Sequence, residues 1–254
     1  MIRKIKKKLR NQFYYSIDRL KKNQPNQKRV VIFGQGRSGS TLLEDLIYST
    51  GNFHRNQELL FSGSTGELNR PASYVNGFAK RNNTQNFIFH LKFYHLTRHR
   101  LKKHNPRKVL MDLQNDGWDI IYLRRKNKVN QAMSNIIRNK RGQAQKEDDK
   151  KENFNLKLEI DRFESRVKER EEFDRKEEKY LRGLNFFEVI YEEDLMDADK
   201  HQQTVDSILT HLNLPKKKAK TRYRKINKSP LKEIIINYDE FQACIEKNKW
   251  EAYL

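Results

Sequence analysis

The strongest constraint on the fold is local: a short apolar run, a glycine-rich turn and an amphipathic helix follow one another without a gap. Residues 28–33 (KRVVIF) form a continuous apolar run ending at Gly34, the pattern of a strand buried on both faces in a parallel sheet. Leu42, Leu43, Leu46 and Ile47 then recur on one helical face, ending near Thr50-Gly51. Between them lies Gly34-Gln35-Gly36-Arg37-Ser38-Gly39-Ser40-Thr41. A strand, a glycine turn and a helix N-terminus bring backbone N–H groups and a positive dipole end to one point, which suits a phosphate-like anion. Against the nucleotide-binding pattern G-x-x-x-x-G-K-[ST], Gly34, Gly39 and Thr41 match, but Ser40 stands at the lysine position. The run at 119–123 ends in Arg124-Arg125 instead of a magnesium-holding Asp, so γ-phosphate chemistry lacks two of its parts. The loop's own cation is Arg37. An ordinary Gly/Ser turn is the competing reading of this segment taken alone.

The rest of the chain repeats the strand–helix alternation. Residues 86–94 (NFIFHLKFY) alternate as a strand, with His90 and Lys92 on one face. Asp119 to Leu123 is another strand, followed by a helix from about Lys128 to Lys140. Residues 155–182 read as a long charged helix with Ile160, Phe163 and Val167 as its buried stripe. Phe186 to Tyr191 reads as a strand, and Thr204 to Leu212 as a helix stopped by Leu214-Pro215. The expectation is an α/β protein, a P-loop-like parallel sheet flanked by helices. The organisation expected is a basic N-terminal helix or tail over 1–29 and one domain over 30–254.

Charge narrows the partners. The chain has 254 residues with 54 Lys+Arg against 33 Asp+Glu, a formal +21 that first suggests nucleic acid. Residues 1–29 contribute +10 and Lys216–Lys228 contribute +8, so only +3 belongs to the remainder. The N-terminal stretch spaces Ile2, Ile5, Leu9, Phe13, Ser16/Ile17 and Leu20 by threes and fours, a weak amphipathic helix with a cationic face. It suits an anionic membrane surface or acidic polymer, or else packs on the domain as an ordinary solvated helix. Apolar runs such as Val30–Phe33 and Ile120–Leu123 are strand-sized, well short of the roughly 20 residues that cross a bilayer. Cys244 is the only cysteine, which excludes an intrachain disulfide and a thiolate-rich zinc site. The N-terminus lacks the apolar core of a secretory signal, and the expected location is cytoplasmic, peripheral at a membrane if the basic helix binds one.

Four segments together resemble a known family. GQGRSGSTLL resembles the 5′-phosphosulfate loop of sulfotransferases that use 3′-phosphoadenosine-5′-phosphosulfate (PAPS), and YLRRKNKVNQAMS their 3′-phosphate strand and helix. VIYEEDL followed by HLNLP is similar to the family's later Y-E-D-L … L-G-L-P stretch. RKINKSPLKEIIINYDEF resembles the C-terminal part of bacterial carbohydrate sulfotransferases, including those that modify nodulation factors and surface polysaccharide. The segments occur in family order across residues 30–254.

The resemblance implies a sulfotransferase fold and transfer of a sulfuryl group from PAPS, without a required metal, to a hydroxyl of a glycan or glycolipid. Gly36, Arg37, Ser38, Gly39, Ser40, Thr41 and Leu42 take the place of the sulfate and 5′-phosphate cradle, and Arg125 with Ser134 that of the 3′-phosphate pair. Arg222, Arg224 or Lys225, in the second basic cluster, is expected to close over the donor, with Lys225 the chosen residue. Arg37 stands where many relatives have Lys, and Glu193 is an added carboxylate. The acceptor proton needs a base: Glu58 is the first candidate, His90 the second and Lys92 the third. Tyr191, Glu192 and Asp194 read as residues that fix the turn and cap the next helix in preference to chemistry, and Trp118 and Trp250 as core residues, with sugar stacking the alternative. Acceptor specificity is expected from 51–85 and 140–182. Two alternatives remain: a basic nucleic-acid or polyanion-binding protein with a degenerate nucleotide loop, and a P-loop kinase.

Overall fold

The computed structural model describes residues 2–24, 26–81, 86–144, 155–223 and 230–253. In chain order its elements are α1 (Ile2–Leu20), β1 (Arg29–Phe33), α2 (Ser40–Ser49), β2 (Phe53–Asn56), α3 (Ser62–Thr65), α4 (Pro71–Arg81), β3 (Asn86–Leu91), α5 (Tyr94–Thr97) and α6 (Pro106–Asn115). There follow β4 (Trp118–Arg124), α7 (Lys128–Ala144), α8 (Ile160–Leu181), β5 (Phe187–Ile190), α9 (His201–His211), α10 (Leu231–Ile234) and α11 (Tyr238–Asn248). The chain divides into two compact units, Met1–Arg124 with Lys176–Thr221, and Arg125–Arg175 with Arg222–Leu254.

The first unit is an α/β fold with an all-parallel five-stranded sheet in the order β2-β3-β1-β4-β5. Parallel neighbours need crossover connections, which is why helices separate the strands and cover the sheet. β1 is central and fully buried, and Val30, Ile32, Ile88, Ile121, Leu123 and Val189 join Leu43, Leu46 and Ile47 of α2 and Val205, Ile208 and Leu209 of α9 in one core. The chain leaves β1 toward β2 on one side and leaves β4 toward β5 on the other. The carboxyl end of β1 therefore sits at the point where connections diverge, the place where open parallel sheets bind ligands.

Gly34 marks how tightly β1 and β4 approach there. A Cβ at this position would meet the Leu123 carbonyl oxygen at 2.1 Å. Gly34→Ala is expected to cost ~3 kcal/mol or more, because backbone cannot move aside as a side chain can. A urea unfolding curve with a near-native midpoint would contradict this.

α1 packs against α4 through a face that sequence periodicity does not single out. Tyr14 and Tyr15 are buried, and the Tyr14 ring lies edge-on to Tyr74 at 5.1 Å. The Tyr15 hydroxyl accepts from the N–H groups of Asn69 and Arg70. Asn11 donates to the Thr65 and Glu67 carbonyls, and Asp18 pairs with Lys80 at 2.7 Å. The apolar residues Ile5, Leu9, Phe13 and Leu20 are all exposed.

The second unit buries Val129, Met133 and Ile137 of α7 against Phe163 and Val167 of α8 and Phe241 and Ile245 of α11. Leu156 bridges to Ile235, so the stretch before Ile160, expected to be helix, is extended. Trp250 is buried against Phe163 with its indole N–H donated to Glu171. Trp118, in the first unit, is buried between Phe87 and Phe89 and donates to Asn76. Both tryptophans belong to cores.

The span 51–85, expected to carry loops and helices for acceptor recognition, includes the edge strand β2 along with α3 and α4. β3 stops at Leu91, three residues before the expected strand end, because α5 begins at Tyr94. α6 starts at a clear signal, the Asn105 side chain capping the N–H groups of Arg107 and Lys108 ahead of Pro106 at the first turn.

Candidate active site

The glycine loop joins the buried end of β1 to α2 in the first unit and is braced by its own side chains. Ser38, fully buried, donates its hydroxyl to the Gln35 carbonyl at 2.7 Å, so this hydroxyl shapes the turn. Arg37 holds a left-handed backbone, φ 68°, and its side chain is half-buried. Gly39, with φ 99°, is the N-cap of α2, and a Cβ there would meet the Tyr191 ring at 2.7 Å. Tyr191 opens the YEEDL turn, which Asp194 ties down by accepting from the Ile190 N–H at 2.6 Å. The first-turn N–H groups of α2, from Ser40, Thr41 and Leu42, lack acceptors within the helix by geometry and face the loop with the positive dipole end. The Leu42 side chain packs against the core, which leaves its N–H as its contribution to a cradle.

Residues just past β3 close on this loop. The Gly36 N–H donates to the Tyr94 hydroxyl at 3.1 Å. A Cβ on Gly36 would lie 2.8 Å from that hydroxyl and 3.8 Å from Lys92 Nζ, which places the Lys92 ammonium against the loop. Lys92 forms a hydrogen-bonded ion pair with Glu58, which lies in the turn after β2. His95 Nε2 approaches the other oxygen of Glu58 at 3.7 Å. Two sequence candidates, Glu58 and Lys92, are thus one ion pair at the carboxyl edge of the sheet, beside the glycine loop.

The electrostatics of this group follow from burial and from Lys92. Burial pushes the Glu58 carboxyl up, but the Lys92 hydrogen bond and charge, with His95 and His90 behind them, outweigh it and hold the carboxyl below its usual range. Burial first, and then Lys92, lowers His95 and keeps its imidazole neutral at neutral pH. The site therefore holds an ionised carboxylate, an ammonium and a neutral imidazole at its edge.

His90 lies one layer deeper. It is 2% exposed, its ring is hydrogen-bonded to the Ser40 backbone, and its Nε2 faces Glu44 Oε2 at 3.5 Å. Desolvation, then Lys92, lowers its pKa to about 3. A ring enclosed in this way holds up the first residue of α2 and is poorly placed to take a proton from an acceptor. Glu44, on α2, is completely buried, and among the described residues neither carboxyl oxygen has a hydrogen-bond partner. Burial raises its pKa to about 8, against an opposing pull from Arg55. Sequence reasoning missed Glu44, Tyr94 and His95; the last two sit at a strand's carboxyl exit, where ligand contacts are expected in such sheets.

The remaining sequence candidates lie in the second unit. Arg125 directly follows β4 and Ser134 lies on α7, both half-buried. The connection between them is fixed by Lys128, which bonds the Arg125 carbonyl and pairs with Asp174 at 2.6 Å. Arg222 is exposed, with its guanidinium 5.8 Å from the Tyr223 ring. Arg224 and Lys225 lie outside the described residues. The start of that basic cluster is held in the first unit, where Lys217 bonds Asn52 and Thr221 donates to Asp45. No known family's profile matches the chain, and no curated protein matches it.

Proposed function

We propose that the chain is a sulfotransferase that moves the sulfuryl group of PAPS to a hydroxyl of a carbohydrate or glycoconjugate and releases adenosine 3′,5′-bisphosphate. The observation that carries this reading is the Lys92–Glu58 ion pair set against Gly36 of the anion loop. Sulfuryl transfer needs negative oxygens neutralised and a proton removed, and this pair supplies one group for each task beside a cradle of N–H groups. Lys92 exchanges its carboxylate partner for the sulfuryl oxygens, and Glu58, relieved of that cation, accepts the acceptor's proton. The acceptor oxygen forms its bond to sulfur as the bridging oxygen–sulfur bond breaks, and that electron pair stays on the 5′-phosphate. Arg37 is the loop cation, and Arg125 with Ser134 binds the 3′-phosphate, an Arg fork and a neutral donor suited to that dianion. Ser40 at the lysine position and Arg124-Arg125 at the end of β4 favour this chemistry over phosphoryl transfer.

Isothermal titration with adenosine 3′,5′-bisphosphate tests the reading. Saturable binding is expected, reduced about tenfold or more when Arg37→Ala and Arg125→Ala remove their charge-assisted bonds together. Absence of binding, or binding undiminished in the double variant, would overturn it.

A further inference from the structure

The outward face of α1 has an arrangement that the proposed reaction does not use. At 3.6 residues per turn, Ile5, Leu9, Phe13, Ser16 and Leu20 fall within an arc of about 80° along the helix. Their apolar members are exposed, Ile5 by 51%, Leu9 by 64%, Phe13 by 49% and Leu20 by 80%. The docked face, with Asn11, Tyr14, Tyr15 and Asp18, lies on the opposite side. The helix is thus anchored to α4 by tyrosines and polar bonds while its apolar stripe points into water. Lys6 flanks the stripe on one shoulder, and Lys8 and Arg19 flank it on the other, all exposed. Asp18 is the only acid among residues 2–22, and Lys80 takes it up.

We infer that this face of α1 docks on a bilayer surface containing anionic phospholipid. Only such a surface takes both parts of the pattern: the stripe enters the headgroup–acyl boundary and the shoulders meet lipid phosphates. A second copy would bury the stripe but press cationic shoulders together. An acidic polymer would take the cations and leave the stripe in water. Docking through α1 holds the first unit at the membrane through contacts separate from the anion loop, so the inference stands apart from the sulfuryl-transfer reading.

The test uses the full chain and extruded vesicles of phosphatidylcholine with about a third phosphatidylglycerol, read by flotation, beside vesicles of phosphatidylcholine alone. Binding to the anionic vesicles at low salt is expected, with little to the neutral ones. The variant Ile5→Ser/Leu9→Ser/Phe13→Ser should partition about tenfold or more less strongly. It should keep its thermal midpoint to within a few degrees, because Ile5 and Leu9 are exposed and Phe13, half exposed, gives up an edge contact with the Tyr14 ring and the Arg81 guanidinium over its face. Salt should weaken wild-type binding without abolishing it, since the apolar contribution is unscreened. The inference fails if wild type stays off anionic vesicles, if the triple variant floats like wild type, or if the stripe instead mediates a dimer that ignores vesicles. Retention on an acidic polysaccharide without flotation would likewise overturn it.

Discussion

Glu58→Gln is expected to lower kcat for the proposed sulfuryl transfer about 10²- to 10⁴-fold, the usual contribution of a general base. Adenosine 3′,5′-bisphosphate should bind this variant at least as tightly as wild type. The reason is the ion pair. The glutamine keeps the shape of Glu58 but offers Lys92 no counter-charge, so the ammonium faces the anion loop without first having to leave a carboxylate. In the free enzyme Lys92 keeps the Glu58 carboxyl ionised, so kcat/KM should hold as pH is lowered through the ordinary carboxylate range, whereas the rate of the donor-bound enzyme, in which Lys92 has left Glu58, should fall there. Single-turnover rates across pH, paired with nucleotide titrations, separate chemistry from binding. A variant with near-wild kcat would move the base elsewhere in the cluster. A variant that lost nucleotide binding would mean that Glu58 positions the loop instead of accepting a proton.

The segment from β1 through α2 was legible because its signal is local: an apolar run, glycines at fixed spacing and a 3.6-residue apolar period lie in one continuous stretch. The Lys92–Glu58 pair was half legible. Each residue could be named from pattern, but their contact depends on β2 pairing with β3 at the sheet edge, a long-range fact that no local window carries. His90 misleads for a related reason. Alternation placed it beside Lys92 on one strand face, whereas β3 ends at Leu91 and leaves His90 inside, under α2.

α1 shows the converse limit. Its apolar stripe was plain in the sequence, and one expectation was that the helix packs on the domain. What decides the docked face is Gly77 on α4, where a Cβ would fall 1.9 Å from the Tyr14 carbonyl oxygen. That approach brings the backbones together along the tyrosine side. Periodicity finds apolar faces; it does not say which face a glycine on another helix will admit.

Glu44 was illegible, since an acid inside L-L-E-D-L-I reads as the solvated side of an amphipathic helix, and its burial yields the second large effect. In the folded chain its carboxyl titrates near pH 8, whereas an unfolded chain releases that proton near 4.5. Between those limits the folded state holds a proton that the unfolded state has lost, so rising pH favours unfolding. His90 acts in the opposite sense. Its folded pKa of about 3 lies below the unfolded 6.5, so stability falls as pH drops below 6.5. His95 is lowered in the same direction and adds to that acid limb. Stability should therefore peak near pH 6.5 and decline toward pH 8 by about 2 kcal/mol, at roughly 1.4 kcal/mol per pH unit for one proton. Glu44→Gln should abolish the alkaline decline, because an amide carries no charge at either pH and can still face His90. Urea unfolding at pH 6.5 and pH 8 decides the matter: equal slopes with pH for wild type and variant would show that Glu44 is not the group that titrates. Because Glu44 sits one helical turn beyond Ser40, the charge that destabilises the fold above pH 8 also appears beneath the anion cradle. The same variant should then bind adenosine 3′,5′-bisphosphate with an affinity that falls less than that of wild type as pH rises past 8.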